Sequence, residues 1–155
     1  MTILIAIVLL VLALIVGFGL YRTVVTRLSP NQALFVQGKA PDPLPDGLYK
    51  GSVPGYEFTW KGKKFHRADA TGINIFRNGN VDEERYPFHM YIAKGVQDTA
   101  TDVLKIDYNI SGNPFWLRII LDEITEVGSG KYLGKVHVRV ILGIPFTLGY
   151  FQLER

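Results

Sequence analysis

The chain begins with an unbroken apolar run and then changes to short alternating segments. Residues Ile3 to Tyr21 contain no charged and no strongly polar side chain. As a helix, this run would be about 28 Å long, close to the thickness of the hydrocarbon core of a bilayer. It lacks the basic start and the small-residue cleavage site that are typical of a signal peptide. We therefore predict a transmembrane anchor helix over residues 1–22.

Behind the anchor, apolar and polar side chains alternate with a period of two. The alternation is clear in three segments: Tyr86–Ile92, Leu104–Ile110 and Lys135–Val140. Such a pattern predicts half-buried antiparallel strands. Turn signals rich in glycine lie between the strands, and Asn78-Gly79 is typical of a two-residue hairpin with positive φ at both central residues. Several short strands joined in this way predict a mainly β domain, folded as a sandwich or a barrel.

The turn signals and the irregular segments set the remaining boundaries. Turns are predicted at Lys61–Lys64, Arg77–Asn80 and Gly128–Lys131. Proline and glycine are frequent after the anchor, which predicts a linker over residues 23–45 that holds the domain clear of the lipid headgroups. A short strand at Ala33–Gln37 is possible within it. The β domain is then expected over residues 46–155.

One apolar stretch, Asn113–Glu123, does not follow the alternating pattern. Asn113 is a good helix N-cap and Pro114 suits the first helical position. We therefore expect a helix of one to two turns that plugs one end of the barrel. In such a helix Arg118 would pair with Asp122, four residues further along.

Charge and composition limit the classes of function. Arg22 and Arg27 follow the apolar run and no basic residue precedes it, so the positive-inside rule places the domain on the cytoplasmic side, with the periplasmic side as the alternative. The net charge of +3 is not arranged as a basic stripe, and no nucleic-acid partner is predicted. The chain has no cysteine, which excludes disulfides. No metal-ligand spacing, nucleophile elbow or phosphate loop is present, so no catalytic or metal-ligating residue is predicted.

Four motifs resemble, in order, those of the GXWXG-domain family of small bacterial calycin (lipocalin-like) proteins. DGLYKG at Asp46–Gly51 is similar to the G-x-W-x-G signature, with Tyr49 in place of tryptophan, and WKGKKF at Trp60–Phe65 is similar to W-x-G-K-x-F. The stretch that contains Asn113–Glu123, followed by YLGKV, resembles a later segment, and FQLER resembles the last strand. The resemblance implies an antiparallel lipocalin-like β-barrel that holds an apolar small molecule, here with a short plug helix and one preceding transmembrane helix. It implies no reaction.

The predicted function is binding of a hydrophobic small molecule, such as a lipid, a quinone or a pigment, at the membrane surface. Ligand pockets combine an apolar, aromatic lining with a few convergent polar groups. Arg118, together with Asp122 or Lys63, is the expected polar group. The predicted aromatic lining is Tyr49, Trp60, Phe65, Tyr108, Phe115 and Trp116.

Two other classes of function remain open. One is a non-catalytic accessory or docking subunit for a membrane protein partner, and the other is a haem-binding or enzymatic barrel. No cofactor is predicted, and His137 is the candidate if haem binds. His137 shares its face with Lys135 and Arg139, and that face is expected to point to solvent.

Overall fold

The protein is an eight-stranded antiparallel β-barrel preceded by two helices; the computed structural model describes residues 1–139 and 145–155. Each strand pairs with the next, and β8 closes the barrel against β1. The helices are α1 (Thr2–Leu28) and α2 (Asn31–Gln37), and a single 3-10 turn (Arg67–Asp69) connects β2 to β3. The strands are β1 (Gly47–Ser52), β2 (Trp60–His66), β3 (Thr71–Asn78), β4 (Val81–Lys94), β5 (Asp102–Asp107), β6 (Ile120–Gly128), β7 (Lys131–Arg139) and β8 (Pro145–Glu154). The predicted β-barrel behind an apolar helix is confirmed. Val140, which the alternation assigned to a strand, lies outside the described residues.

Two of the three predicted turns are hairpins. The β3–β4 hairpin is centred on Gly79 and Asn80, and the β6–β7 hairpin on Ser129 and Gly130. Gly79 has φ +60° and Gly130 has φ +67°. Of the two central residues of the β3–β4 hairpin, only Gly79 has positive φ. The expectation of positive φ at both Asn78 and Gly79 is therefore wrong, because the turn begins one residue later and is of a different type.

The third predicted turn, Lys61–Lys64, is wrong because this segment lies inside β2. The glycine there serves a β-bulge: the strand register shifts between Trp60 and Gly62. Gly62 has φ +139°, and a Cβ at this position would lie 1.9 Å from the Tyr49 carbonyl oxygen. Only glycine fits such a close approach of two backbones.

Apolar side chains fill the half of the barrel near the β2–β3, β4–β5 and β6–β7 connections, which we call the packed end. Alternation correctly placed Phe88, Met90, Leu104 and Ile106 in this core. Large rings also lie over glycines of neighbouring strands. The Trp60 ring, for example, lies so close to Gly51 that a Cβ on this glycine would be 2.4 Å from it. The other members of the buried core are Tyr49, Phe65, Tyr108, Ile124, Tyr132, Phe151 and Leu153.

Both helices pack on the outer surface of the barrel. Gly19 lies so close to the Phe146 ring that a Cβ would be 2.6 Å away, and Thr147 N donates a hydrogen bond of 3.0 Å to Thr23 Oγ1. α1 therefore continues past residue 22 as part of the barrel's packing. The possible strand at Ala33–Gln37 is wrong, because this segment is α2 and buries Phe35 against the barrel.

The helices bury the face that was expected to be solvent-exposed. Lys135 is 1% exposed and His137 is fully buried. Lys135 Nζ donates to Gln32 Oε1 at 2.7 Å and pairs with Asp98. The prediction that this strand face points to solvent was right about its outward direction but wrong about its exposure, because α2 and the β4–β5 connection cover it.

His137 belongs to a second polar cluster on the same outer face. Its Nε2 lies 3.1 Å from Glu123 Oε2, and its Nδ1 lies 3.0 Å from Thr147 Oγ1. Lys105 Nζ pairs with Glu123 Oε1 at 2.9 Å. Burial opposes ionisation of Glu123, but the hydrogen bonds from His137 and Lys105 outweigh it and lower the pKa of that carboxyl.

The predicted plug helix at Asn113–Glu123 is wrong in form. The backbone N–H groups of Leu117 and Arg118 both donate to Pro114 O, at 3.0 and 3.2 Å, which makes a single turn before β6 begins. Asn113 does not cap this turn, because no described backbone N–H donates to its Oδ1. Its Nδ2 instead donates to Pro87 O at 2.8 Å and to Tyr108 O at 2.9 Å. The segment is a short connection and not a regular helix.

We expect Gly62→Ala to lower the free energy of unfolding by about 1–3 kcal/mol, because alanine must adopt a left-handed φ and clash with the Tyr49 carbonyl. Gly112→Ala is the matched control, since no atom lies within 4 Å of its built Cβ and its φ is ordinary. Urea unfolding of the full chain in detergent, followed by circular dichroism, measures both. Equal stability of the two variants would contradict the assigned bulge.

Candidate functional site

The half of the barrel opposite the packed end contains a cavity of about 430 Å³, and we call this end the cavity end. It is the end at which the β1–β2, β3–β4 and β5–β6 connections meet. Most of its wall is apolar or aromatic, and four polar side chains lie together at its boundary with the packed core. The lining residues are Val53, Trp60, Lys63, Asn74, Phe76, Tyr86, Tyr108, Trp116, Leu117, Ile120, Asp122, Val136 and Phe151.

Lys63 is the centre of the polar cluster. Its side chain is 2% exposed, and Nζ donates at 2.9 Å to Asp122 Oδ2 and at 2.9 Å to Asn74 Oδ1. A third hydrogen bond goes to the Tyr108 hydroxyl, so all three donors of the ammonium are used. Four rings surround the ammonium at 5.1–5.4 Å from their centroids, which favours a cation. They belong to Trp60, Phe88, Tyr108 and Phe151.

Burial changes the acid–base properties of this cluster. Desolvation lowers the pKa of the Lys63 amine, although the charge of Asp122 opposes the shift. Desolvation, together with the same carboxylate, raises the pKa of the Tyr108 hydroxyl well above its usual value of 10. Tyr108 therefore stays a neutral hydrogen-bonding group. The contacting ammonium and carboxylate carry no net charge together.

Asp122 has hydrogen-bonding capacity left over. Its Oδ2 accepts from Lys63 and from the Tyr108 hydroxyl at 3.0 Å, whereas no described residue donates to Oδ1. Among the described residues, every fully buried side-chain nitrogen or oxygen has a partner. Because Asp122 lines the cavity, Oδ1 lies at the cavity surface as a free acceptor.

Strained backbone positions one wall of the cavity. Tyr86 has φ +63° and is the extra residue of a bulge opposite Ile73 and Asn74. Asn74 Nδ2 donates to Tyr86 O at 3.1 Å, which holds this conformation. The Tyr86 ring then packs edge-on against Phe76 and Trp116, at 5.6 and 5.9 Å between centroids. Such bulges often adjust side chains at functional sites.

Three of the predicted aromatic residues line the cavity: Trp60, Tyr108 and Trp116. Tyr49 and Phe65 also point into the barrel, but they belong to the packed core and do not contact the cavity.

The other two predicted residues lie outside the cavity. Phe115 is 83% exposed. Arg118 Nε donates to Asn109 Oδ1 at 3.1 Å. The predicted ion pair between Arg118 and Asp122 is therefore wrong, and the partner of Asp122 is Lys63. Of the polar groups suggested by the sequence, Lys63 and Asp122 converge in the cavity and Arg118 does not.

Asn74 and Tyr86 were missed by the sequence analysis. Asn74 stands between Gly72 and Phe76 at a spacing of two, which marks a polar residue on an inward face of β3. Tyr86 was recognised as part of an alternating strand, but nothing in the alternation indicates the bulge at this position.

His137 cannot serve the cavity. It lies on the outer face, and both ring nitrogens are within hydrogen-bonding distance of Glu123 and Thr147. It therefore offers no free ligand atom to a haem iron in the barrel. Within residues 1–139 and 145–155, no group of three or more histidine, aspartate or glutamate side chains is arranged to hold a metal ion.

Comparison with known proteins supports the fold. No protein-family model matches the sequence, and no curated protein matches it significantly. A crystal structure of a protein from Thermomonospora curvata is similar, with a TM-score of 0.56 and 16% sequence identity over 80% of this chain and 84% of that chain. At this identity the likeness concerns the fold alone. The resemblance to the GXWXG-domain family stays a prediction.

We expect Lys63→Met alone to lower the free energy of unfolding by about 3–5 kcal/mol, because it leaves the Asp122 carboxylate buried without its partner. The double variant Lys63→Met, Asp122→Leu should be about as stable as the native protein or more stable, since apolar groups replace both charges. Urea unfolding of the full chain measures both. A double variant as unstable as the single one would show that the pair is needed for folding.

Proposed function

We propose that the barrel binds a hydrophobic small molecule bearing a hydroxyl group in the cavity at its cavity end. A volume of about 430 Å³ is within the range of small-molecule sites. The observation that carries the proposal is the Asp122 carboxylate at the polar edge of a mostly apolar cavity, because its Oδ1 accepts no hydrogen bond from any described residue. Lipids, hydroquinones and pigments that combine an apolar body with an alcohol or phenol belong to this class.

The charge of the cluster favours a neutral ligand. A carboxylate ligand would be attracted by Lys63 and repelled by Asp122. An ammonium ligand would be attracted by Asp122 and repelled by Lys63, so neither gains a net electrostatic attraction. A hydroxyl, in contrast, can donate to Asp122 Oδ1. All three hydrogen-bond donors of Lys63 are already used, which makes a ligand that only accepts hydrogen bonds a poorer fit. The apolar body would gain free energy by leaving water for the aromatic wall.

The position of α1 supports a function at a membrane. The helix is long and apolar enough to span a bilayer, with a mean hydropathy of 3.3 in its most apolar window. The same continuous helix packs on β8 through Gly19 and Thr23. This supports a retained anchor over a removed signal sequence, because cleavage after the apolar run would cut through the packed segment. Arg22 and Arg27 support a cytoplasmic position of the barrel.

The headgroup preference provides the test. Full-length protein in detergent is equilibrated with dodecanol, dodecanoate, dodecylammonium and dodecane at equal concentration, and bound ligands are identified by native mass spectrometry. We expect dodecanol to predominate, because it alone pairs an apolar chain with a neutral donor. The double variant Lys63→Met, Asp122→Leu should lose this preference and bind dodecane as well as dodecanol.

A cavity-filling variant locates the binding site. Leu117→Trp places a larger side chain in the cavity from the β5–β6 connection and should abolish binding of dodecanol. Leu48→Trp makes the same exchange at an exposed position on β1 and should bind as the native protein does. Unchanged binding in Leu117→Trp, or no binding of any of the four compounds to the native protein, would overturn the proposal.

A further inference from the structure

We propose that the cavity end of the barrel rests on the bilayer, with the exposed side chains of its strand connections inserted into the membrane interface. The proposal takes from the proposed function only that α1 spans the membrane. The surface itself is argued from the barrel, and it does not depend on which ligand the cavity holds.

The direction of the N-terminal helices shows which end of the barrel faces the membrane. Gly19 in α1 contacts Phe146 at the start of β8, which is at the cavity end. Phe35 in α2 contacts Tyr150, which is further toward the packed end. The chain therefore runs from the cavity end toward the packed end. The free apolar part of α1, residues 2–18, projects beyond the cavity end.

No hydrophilic spacer separates the barrel from the membrane. The side chains from Ile3 to Tyr21 carry no charge, and the first charged residue, Arg22, already donates from Nε to Leu148 O in β8 at 2.9 Å. The apolar run therefore extends up to Gly19, where the contacts with the barrel begin. The barrel must lie at the level of the headgroups. The linker that was expected to hold the domain clear of them does not do so, because α1 continues directly into the packing on β8.

Exposed apolar side chains are distributed unequally between the two ends. Among the described residues, all the exposed large apolar side chains within strand connections are at the cavity end. We call them the rim side chains: Tyr56, Phe58, Phe115, Trp116 and Ile119. Aromatic side chains are enriched at membrane interfaces, and four of the five rim side chains are aromatic. The bilayer into which α1 extends is the partner that lies against this end.

A groove at the rim adjoins the cavity. It runs between α1 and the β1–β2 connection, next to Phe18, Tyr21, Tyr56 and Phe58. Val53, Val136 and Phe151 line both this groove and the cavity. The two hollows therefore share part of their wall, which places the cavity next to the surface that faces the bilayer.

The absence of cysteine in the chain permits a direct test. Single substitutions Phe58→Cys and Phe115→Cys place a nitroxide label on the rim, and Val127→Cys places one at an exposed position beside the β6–β7 hairpin of the packed end. The full-length variants are reconstituted in vesicles of phosphatidylcholine and phosphatidylglycerol. Electron paramagnetic resonance then compares collisions of each label with oxygen, which concentrates in lipid, and with a water-soluble nickel chelate.

We expect the ratio of oxygen to nickel collisions to be several-fold higher for both rim labels than for the label at Val127. Ratios at Phe58 and Phe115 equal to that at Val127 would overturn the proposal. Tyr56→Cys serves as a second rim position if one variant fails to fold, as judged by circular dichroism. The ligand series above uses detergent without a bilayer, so failure of ligand binding and failure of membrane docking are separate results.

Discussion

The buried ion pair between Lys63 and Asp122 is the constraint that organises the interior of the barrel, because neither charge can be left there without the other. Removing two charges from water is costly, and the contact between them compensates only when their remaining hydrogen bonds are satisfied. Asn74 and Tyr108 provide those bonds to Lys63, and Tyr108 also donates to Asp122 Oδ2, which leaves Asp122 Oδ1 for a ligand. Aromatic rings surround the ammonium. Apolar packing fills the barrel on one side of the pair and leaves a cavity on the other. A buried pair of this kind is a poor source of stability, which favours a role in recognition.

The outer surface connects this interior to the apolar helix α1. α1 packs on β8 and α2 covers the polar face of β7, so the helices belong to the same folded unit as the barrel. Lys135 and Glu123 are buried there with partners for their charges. As a result, the apolar part of α1 leaves the barrel in a fixed direction, toward the cavity end. This geometry brings the apolar part of α1, the groove and the cavity to one end of the molecule.

The sequence predicted the fold better than the site. Alternation identified Leu104 and Ile106 as core residues, because an inward strand face repeats every second residue. It failed to predict the burial of Lys135, since the residues that cover it come from distant parts of the chain. The local sequence pattern also fails to distinguish a glycine that forms a turn from a glycine that permits a β-bulge. The glycine at position 62 looked like part of a turn, but it permits a bulge within a strand.

The site shows a similar limit. Tyr49 and Trp60 are both aromatic and both point inward, yet only Trp60 lines the cavity. Strand periodicity gives the face on which a residue lies, whereas its position along the barrel axis depends on the register between strands. Lys63 was recognisable as a charge two residues before the inward Phe65. Its pairing with Asp122 required the two strands to be placed on opposite sides of the same interior.

The carboxyl carbon of Asp122 gives the most direct test of this account. We would follow its ¹³C resonance by NMR while dodecanol is added to the full-length protein in detergent, with the Glu123 carboxyl on the outer face as an internal reference. We predict that the Asp122 resonance shifts to saturation and that the Glu123 resonance stays unchanged, because only Asp122 lines the cavity. Bound dodecanol without a shift at Asp122 would contradict the assignment of its free oxygen as the group that recognises the ligand.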